Sequence, residues 1–586
     1  MSDGAARSVW PAMSIGEAHA LLTAPDAPLA ITEAVIRGVT FRTWKNLPES
    51  LRDVVAASRA HGDGTFLVYE DERVTFDAFH RAVARLAAAL ATRGIIKGDR
   101  VAIAMRNLPE WVVAFYAAAS LGAIVTPLNA WWTGPEIEYG LRDSGAKVAF
   151  LDAERYHRLC AHLPNCDQLA HVYVSRWRDV IDEPAVERLE DVLGTTDDWA
   201  DLPDAPLPTV AIGADDDATI FYTSGTTGRP KGAVGTQRGM LCNIMTAAAA
   251  AARVFLRRGE EPPVAAPDAP QRAILLSVPL FHVTGCMAVL NPMLFAGGKL
   301  VMMHKWDVRR AFALIEREKV TMAGGVPFIA WQLVEDAARD DYDLSSLESV
   351  AYGGAPSAPD LLRRVREAFP DTQPAQGWGM TETCAAVTSI AADDYLHRPD
   401  SCGPAAAIAD LQIRDPADGC TVLPPGTVGE LWSKGPMNCR LYWNKPEATA
   451  HTFVDGWVRT GDLARLDEEG FCYIVDRAKD MLIRGGENIY CVEVENVLYD
   501  HHAVVDAAVI GIAHRTLGEE PVAVVTLKQG GCASEPELRA HVAARLAAFK
   551  TPVQIRFWPE TLPRNANGKI LKTELHKLFE DQAGLA

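Results

Sequence analysis

The chain has 586 residues, 48% apolar and 23% charged, a composition typical of folded protein that excludes a disordered or low-complexity polymer. That length exceeds what one hydrophobic core supports and predicts two or more domains. A formal net charge of -19 repels nucleic-acid phosphates and anionic headgroups, so nucleic acid is not an expected partner, and any polyphosphate site must gather Lys, Arg and backbone N–H groups against the global field.

The first twenty residues lack a basic start followed by an apolar stretch, so no secretory signal is expected. Eleven cysteines without a CxxC pair and odd in number argue against a disulfide framework and point to a reducing cytoplasm. Thr75 is a predicted N-cap for a helix that places Phe79, Val83, Leu86 and Leu90 on one face. Gly94 and Gly98 then turn the chain into a predicted strand at residues 101–105. Residues 111–128 and 274–298 approach membrane-spanning length, but Ser120, Gly122 and Pro127 interrupt the first, and Pro279, His282, Gly285, Asn291 and Pro292 the second. Both read as buried helix-and-strand segments, and no transmembrane segment is expected.

Residues 218–222 form a further predicted strand, and residues 256–270, rich in charge, Pro and Ala, a surface loop. A strand at 349–352 leads through the turn Gly353, Gly354, Ala355 and Pro356 to a helix at 361–369, and such a glycine pair lets a ligand approach the backbone. After a strand at 471–475, DRAKD at 476–480 is the strongest candidate boundary. Beyond it lie strands at 507–511 and 522–527 and a helix opened by Ser534 with Glu537 at capping-box spacing. The alternation of helices with short apolar runs predicts an α/β fold. Its large N-terminal domain has mixed, largely parallel sheets flanked by helices, and a small α+β C-terminal domain follows. The expected division is 1–50 as an extension, 51–476 as the large domain and 477–586 as the small one. No internal repeat is visible.

Chemistry concentrates at residues 223–232, TSGTTGRPKG, which follow the strand at 218–222. Gly225, Gly228 and Gly232 permit tight turns with exposed N–H groups. Thr223, Ser224, Thr226 and Thr227 supply hydroxyls, and Lys231 a positive charge, a combination suited to polyphosphate. It is not the usual P-loop, because Gly232 rather than Ser or Thr follows the lysine. Further motifs follow in order: YGGAP at 352–356, QGWGMTET at 376–383, TGD at 460–462, the run from DRAKD at 476 to Glu495, and PRNANGKI at 563–570.

In these motifs the chain resembles the adenylate-forming superfamily, and most of all its acyl-CoA synthetases, over roughly residues 51–579. The resemblance implies a two-step reaction, in which a carboxylic acid and ATP give an acyl-adenylate and pyrophosphate, and coenzyme A then takes the acyl group. It implies that the 223–232 loop, with Gly354, Ala355, Pro356, Gly377, Trp378, Gly379 and Met380, handles the nucleotide, Trp378 standing where the family usually has Tyr. Thr381 is implied to bond the α-phosphate, Glu382 to hold Mg2+, and Asp462 with Arg477 to bind the ribose hydroxyls. Lys569, which sequence alone would assign to a solvated turn, is implied to be the catalytic lysine bridging carboxylate and α-phosphate. The family rotates its small, mobile C-terminal domain between steps. Lys479 matches the hinge, and Gly485, Gly486, Glu487 and Asn488 match the loop that replaces the lysine.

The apolar stretch from 279 should line the acid pocket, with His282 either guiding the carboxylate or lining the core. Phe281 and His282 occupy the region where amino-acid-activating relatives carry an aspartate. Gly379 stands where acetate-specific relatives place a tryptophan, which suggests an acid larger than acetate or propionate: a medium-to-long fatty acid, or an aryl or alicyclic acid. Competing expectations are an acyl-AMP ligase loading a carrier protein, a luciferase-like oxygenation and a catalytically silent binding relative. A homodimer is left open.

Overall fold

The computed structural model describes residues 10–582 except 224–228, 265, 267–268, 355–356, 486, 529 and 566–567. Two eight-stranded sheets carry most of the chain. In one, Ile124–Pro127, Arg100–Ala104, Val148–Asp152, His171–Ser175 and Val186–Arg188 run parallel side by side. Its central strand Val148–Asp152 is buried on both faces, as strands covered by helices on either side must be. The second sheet has a parallel core of Thr65–Tyr69, Lys299–Met302, Ala273–Leu276, Met322–Gly325, Ser349–Gly353 and Gln373–Met380. A six-stranded antiparallel sheet follows, then a five-stranded sheet formed within residues 482–557. The α/β class with largely parallel sheets and a small α+β C-terminal portion agrees with the sequence reading.

The elements that matter for the site begin with α1 (Ile15–Leu22), closed by a capping box between Ser14 and Glu17. The hairpin β1 (Ile31–Ile36) and β2 (Val39–Trp44) comes next. β3 (Asp217–Tyr222) and β4 (Gly232–Thr236) pair antiparallel near one end of the first sheet, where Leu441–Tyr442 is the outermost strand, and lead into α2 (Gln237–Arg258). β5 (Gln373–Met380) and β6 (Ala385–Ala391) pair antiparallel at the edge of the second sheet. β7 (Trp457–Leu466) and β8 (Phe471–Arg477) pair in the third.

The structure corrects one boundary. Residues 256–258, expected in a loop, are the last turn of α2, which ends only at Gly259 with φ +76. Arg257 is buried there and holds Asp394 at 2.7 Å together with Glu469, so tertiary ion pairs extend the helix into a charged stretch. Residues 111–128 resolve into Pro109–Ser120, buried along its whole length, and Ile124–Pro127. Residues 274–298 resolve into a strand, a short π-helix at Thr284–Leu290 and a helix at Asn291–Ala296. Among the described residues one helix, α2, is long and apolar enough to cross a membrane, and 50% of its apolar window is buried inside the protein.

Candidate active site

A cavity of about 830 Å3 lies where the first three sheets meet, and Lys569 from the C-terminal portion also lines it. β3 carries the chain to its edge, where Thr223 N–H donates to the Lys231 carbonyl at 2.8 Å and closes the loop. Ser224, Gly225, Thr226, Thr227 and Gly228 lie outside the described residues. The Lys231 ammonium sits 5.0 Å from the ring centroid of Tyr442, a cation–π distance. The Tyr442 hydroxyl donates to Glu382 Oε1 at 2.5 Å. Burial, with the Glu382 charge beside it, raises the Tyr442 pKa, so the phenol stays protonated and keeps donating.

Thr381 and Glu382 belong to a 3-10 turn, Thr381–Thr383, that joins β5 to β6. Its exit residue Cys384 has φ +50, a left-handed conformation uncommon outside glycine, and its neighbours hold it in place. Asn243 of α2 donates to the Cys384 carbonyl at 2.7 Å and accepts from Ala386 N–H at 3.2 Å, while Cys439 N–H donates to the Glu382 carbonyl at 2.8 Å. Glu382 is thus anchored from two directions before any ligand arrives.

The glycines of QGWGM serve the backbone first. A Cβ on Gly379 would stand 1.8 Å from the Ala385 carbonyl oxygen, and one on Gly377 2.9 Å from that of Thr388. The expectation that Gly379 leaves room for the acid is therefore corrected: it lines the cavity, but its missing side chain points at the neighbouring strand. Gly354 differs, with φ +76 and open space where its Cβ would be, as close approach of a planar ligand requires. Ala355 and Pro356 lie outside the described residues, while Met380 also lines the cavity.

Trp378 donates its indole N–H to Asp462 Oδ2 at 2.8 Å. Asp462, on β7, faces Arg477 directly across the β7–β8 pairing, and Arg477 Nε lies 3.4 Å from the other carboxylate oxygen, Oδ1. The three residues form one unit in which the buried carboxylate is neutralised by a cation and oriented by a donor. The resemblance implied that Asp462 and Arg477 share the ribose hydroxyls and did not indicate the indole bond.

Lys569 ends a tight turn shaped by Asn565, whose side-chain Oδ1 accepts from Lys569 N–H at 3.0 Å, and by Gly568 with φ +70. Arg564 braces that turn, donating to the Gly568 carbonyl and to Asp506, each at 2.6 Å. The Lys569 amine reaches the cavity. Burial and the nearby Arg477 push its pKa down to about 8, against the pull of Asp462 and Glu382. The partly buried His282 lines the same cavity, and its Nε2 has no hydrogen-bond partner among the described residues. Burial and the charge of Lys569 push it down to about 3, so it is neutral at physiological pH. Lys479 also lines the cavity, its pKa lowered chiefly by burial. Gly485 follows the strand Leu482–Arg484, and Glu487 and Asn488 open its antiparallel partner Glu487–Ile489; none of the three lines the cavity, and Gly486 lies outside the described residues. The structure therefore brings together Lys231, Thr381, Glu382, Asp462, Arg477, Lys479, His282 and Lys569, and leaves Gly485, Glu487 and Asn488 outside.

Among the described residues no group of three or more His, Cys, Asp or Glu could hold a metal ion. A single buried carboxylate is nevertheless what Mg2+ uses when phosphate oxygens and water complete its shell. Glu382 fits: Tyr442 occupies Oε1, and Oε2 has no hydrogen-bond partner among the described residues. Sequence reasoning missed Tyr442 and Asn243, because a tyrosine in LYWNKP and an asparagine in an apolar helix show their partners only after folding.

Comparison with known proteins agrees with this geometry. The family model described as AMP-binding enzyme matches residues 54–443, and that for the AMP-binding enzyme C-terminal domain matches 493–569. The chain belongs to the AMP-binding enzyme family. It is 34% identical over 521 residues to the long-chain-fatty-acid–CoA ligase FadD13 of Mycobacterium tuberculosis, covering 87% of this chain and 94% of that one. It is also 34% identical over 529 residues to a feruloyl-CoA synthase of Amycolatopsis, covering 90% and 98%. Among solved structures, the anthranilate CoA ligase AuaEII in complex with anthranoyl-AMP superposes with a TM-score of 0.78 at 26% identity, covering 92% of this chain and 99% of that one. The o-succinylbenzoate coenzyme A synthetase MenE of Bacillus subtilis, in complex with ATP and magnesium ion, does so with a TM-score of 0.72 at 30% identity, covering 90% and 99%. This family member is an AMP-forming acid–CoA ligase.

Proposed function

We propose that the chain activates a carboxylic acid, a medium-to-long fatty acid being the favoured class because long-chain-fatty-acid–CoA ligases of two organisms are among its relatives, and transfers the acyl group to coenzyme A. The observation that carries the reading is a lysine whose amine shares one cavity with Glu382, Asp462 and Arg477 although it arrives from a separate sheet system.

Adenylation must bring a carboxylate against a phosphate while negative charge grows on the phosphoryl oxygens. Lys569 supplies a cation between the two anions, and Thr381 a hydroxyl to the α-phosphate. The Asp462–Arg477–Trp378 unit offers its carboxylate to the ribose hydroxyls, and Gly354 lets the base lie along the backbone. The 223–232 loop, with Lys231, holds the departing pyrophosphate. Glu382 would hold Mg2+, which when bound supplies positive charge to phosphate oxygens. His282 is neutral and borders the acid pocket, where it orients the carboxylate by hydrogen bonding rather than by charge. For the second step Lys569 must withdraw to admit a thiol, with Lys479 as pivot and the turn of Gly485, Gly486, Glu487 and Asn488 entering in its place.

A second reading, an aryl or alicyclic acid, rests on equal identity to the fatty-acid ligase and the feruloyl-CoA synthase. Incubating the protein with ATP, Mg2+, coenzyme A and a panel of fatty, aryl and alicyclic acids, while following AMP, pyrophosphate and thioester, separates the two. Thioester on C8–C18 acids supports the first and thioester on aryl acids alone the second. AMP without thioester on every acid points instead to a carrier-loading ligase.

A further inference from the structure

Residues before the matched family region run along one side of α2 from end to end. At the start of α2, Gln237 Oε1 accepts from Leu51 N–H at 2.9 Å. At its middle, Trp44 donates its indole N–H to Thr246 Oγ1 at 3.4 Å. Further on, Arg253 approaches His19 at 3.4 Å, and at the last turn Arg257 donates to the Met13 carbonyl at 2.7 Å while its own carbonyl accepts from Ala12 N–H at 2.9 Å. The segment and the helix therefore lie antiparallel, fastened at four levels.

The adjoining face of α2 borders the ligand cavity, with Thr246 at the junction of the two. Asn243, Thr246, Ala247 and Ala250 line it, the spacing of one helical face. Cys242 and Ala249 instead belong to a buried cluster with Trp44, Val387 and Met437. The same division holds on β6, where Ala386 and Thr388 line the cavity and Val387, between them, joins the Trp44 cluster. Trp44, only 2% exposed, is thus the largest side chain directly behind a wall made of small residues.

We propose that residues 10–50 are part of the acid-selecting wall, with Trp44 setting how far α2 and β6 can give way to the acyl or aryl group. The proposal rests on the acid–CoA ligase reading above. Interiors are close-packed, so volume added or removed behind a wall one helix thick moves that wall. Trp44→Ala is expected to favour bulkier and longer acids. Ala249→Val, which adds volume on the outer face of α2, is expected to shift preference toward smaller ones.

The test is the full-length protein's kcat/KM over a graded series of fatty and aryl acids, with KM for ATP measured alongside. A rise of about tenfold in the large-to-small preference ratio for Trp44→Ala, a fall for Ala249→Val and an unchanged KM for ATP would support the proposal. Trp44→Phe, which keeps a ring but loses the N–H, should lie between wild type and Trp44→Ala, and with Ala249→Val it carries the test if Trp44→Ala does not fold. Parallel losses on all acids, with the ratios unmoved, would overturn it and leave the segment a merely structural support. If the wild-type protein forms no thioester with any acid, the ligase reading fails; if it does and the ratios stay fixed, only this inference fails.

Discussion

Glu382 and Lys569 reach the same cavity by opposite construction. Glu382 is 6% exposed, on a turn between two paired strands, with Tyr442 on its carboxylate and Asn243 and Cys439 fixing the backbone around it. Lys569 rides on a turn whose brace, Arg564, belongs to the C-terminal portion. That portion meets the rest of the protein nearby through the face of Phe328, 5.2 Å from the Arg564 guanidinium, and the close approach of Gly568 to Val326. One group is built into the core, whereas the other is delivered across a contact between the C-terminal portion and the large sheets. This is the division expected when one half of a reaction needs a cation at the bond being made and the other needs that cation gone.

The comparison breaks most visibly at Lys569. Lys569→Ala should slow adenylation by about 10³-fold or more, comparable to loss of a principal charge-stabilising group, and leave thioester formation from preformed acyl-AMP largely intact. Single-turnover measurement of each half-reaction checks this, and equal loss in both would contradict a lysine that withdraws. Gly568→Ala tests the delivery. A Cβ there would meet Val326 Cγ2 at 2.7 Å in a residue with φ +70, so adenylation should fall about tenfold, by little more than 1 kcal/mol of docking energy, with the second step unaffected.

The fixed half answers differently. Tyr442→Phe removes a hydrogen bond to a buried carboxylate, which typically contributes about 1.5–3 kcal/mol. It should lower the melting temperature and raise the Mg2+ concentration for half-maximal adenylation severalfold, read by titrating Mg2+ at fixed ATP. The smallest effect is a pH dependence. Lys569 carries its charge below about 8 and loses it above, so kcat/KM for adenylation, which reports the free enzyme, should decline as pH rises through that value. Lys569→Arg, always charged, should lower the rate but abolish the decline.

Much of this arrangement was legible before folding. The strand ahead of the glycine-rich loop, the Thr75 and Ser534 caps and the strands at 101–105 and 349–352 all follow from hydrophobic periodicity and capping chemistry, which act over a few residues. The motifs identified the reaction type because several short runs occurred in one order. Residues 256–258 belong to α2 rather than to the expected loop because ion pairs to Asp394 and Glu469, far away in the chain, outweigh local composition. Gly379 was read as space for substrate, although the neighbouring strand at Ala385 claims that space.

The sequence by itself determined the α/β class and the adenylate-forming chemistry, since these rest on local propensity and contiguous motifs. Only the tertiary structure decided that Tyr442 ties Lys231 to Glu382, that Trp378 bonds Asp462, and that Trp44 stands behind the wall of the cavity. Those pairs are 60 to 211 residues apart in sequence. Nothing in the chain near either partner marks the contact, because a hydrogen bond or a packed wall exists only once burial has removed the water that would otherwise compete for the same groups.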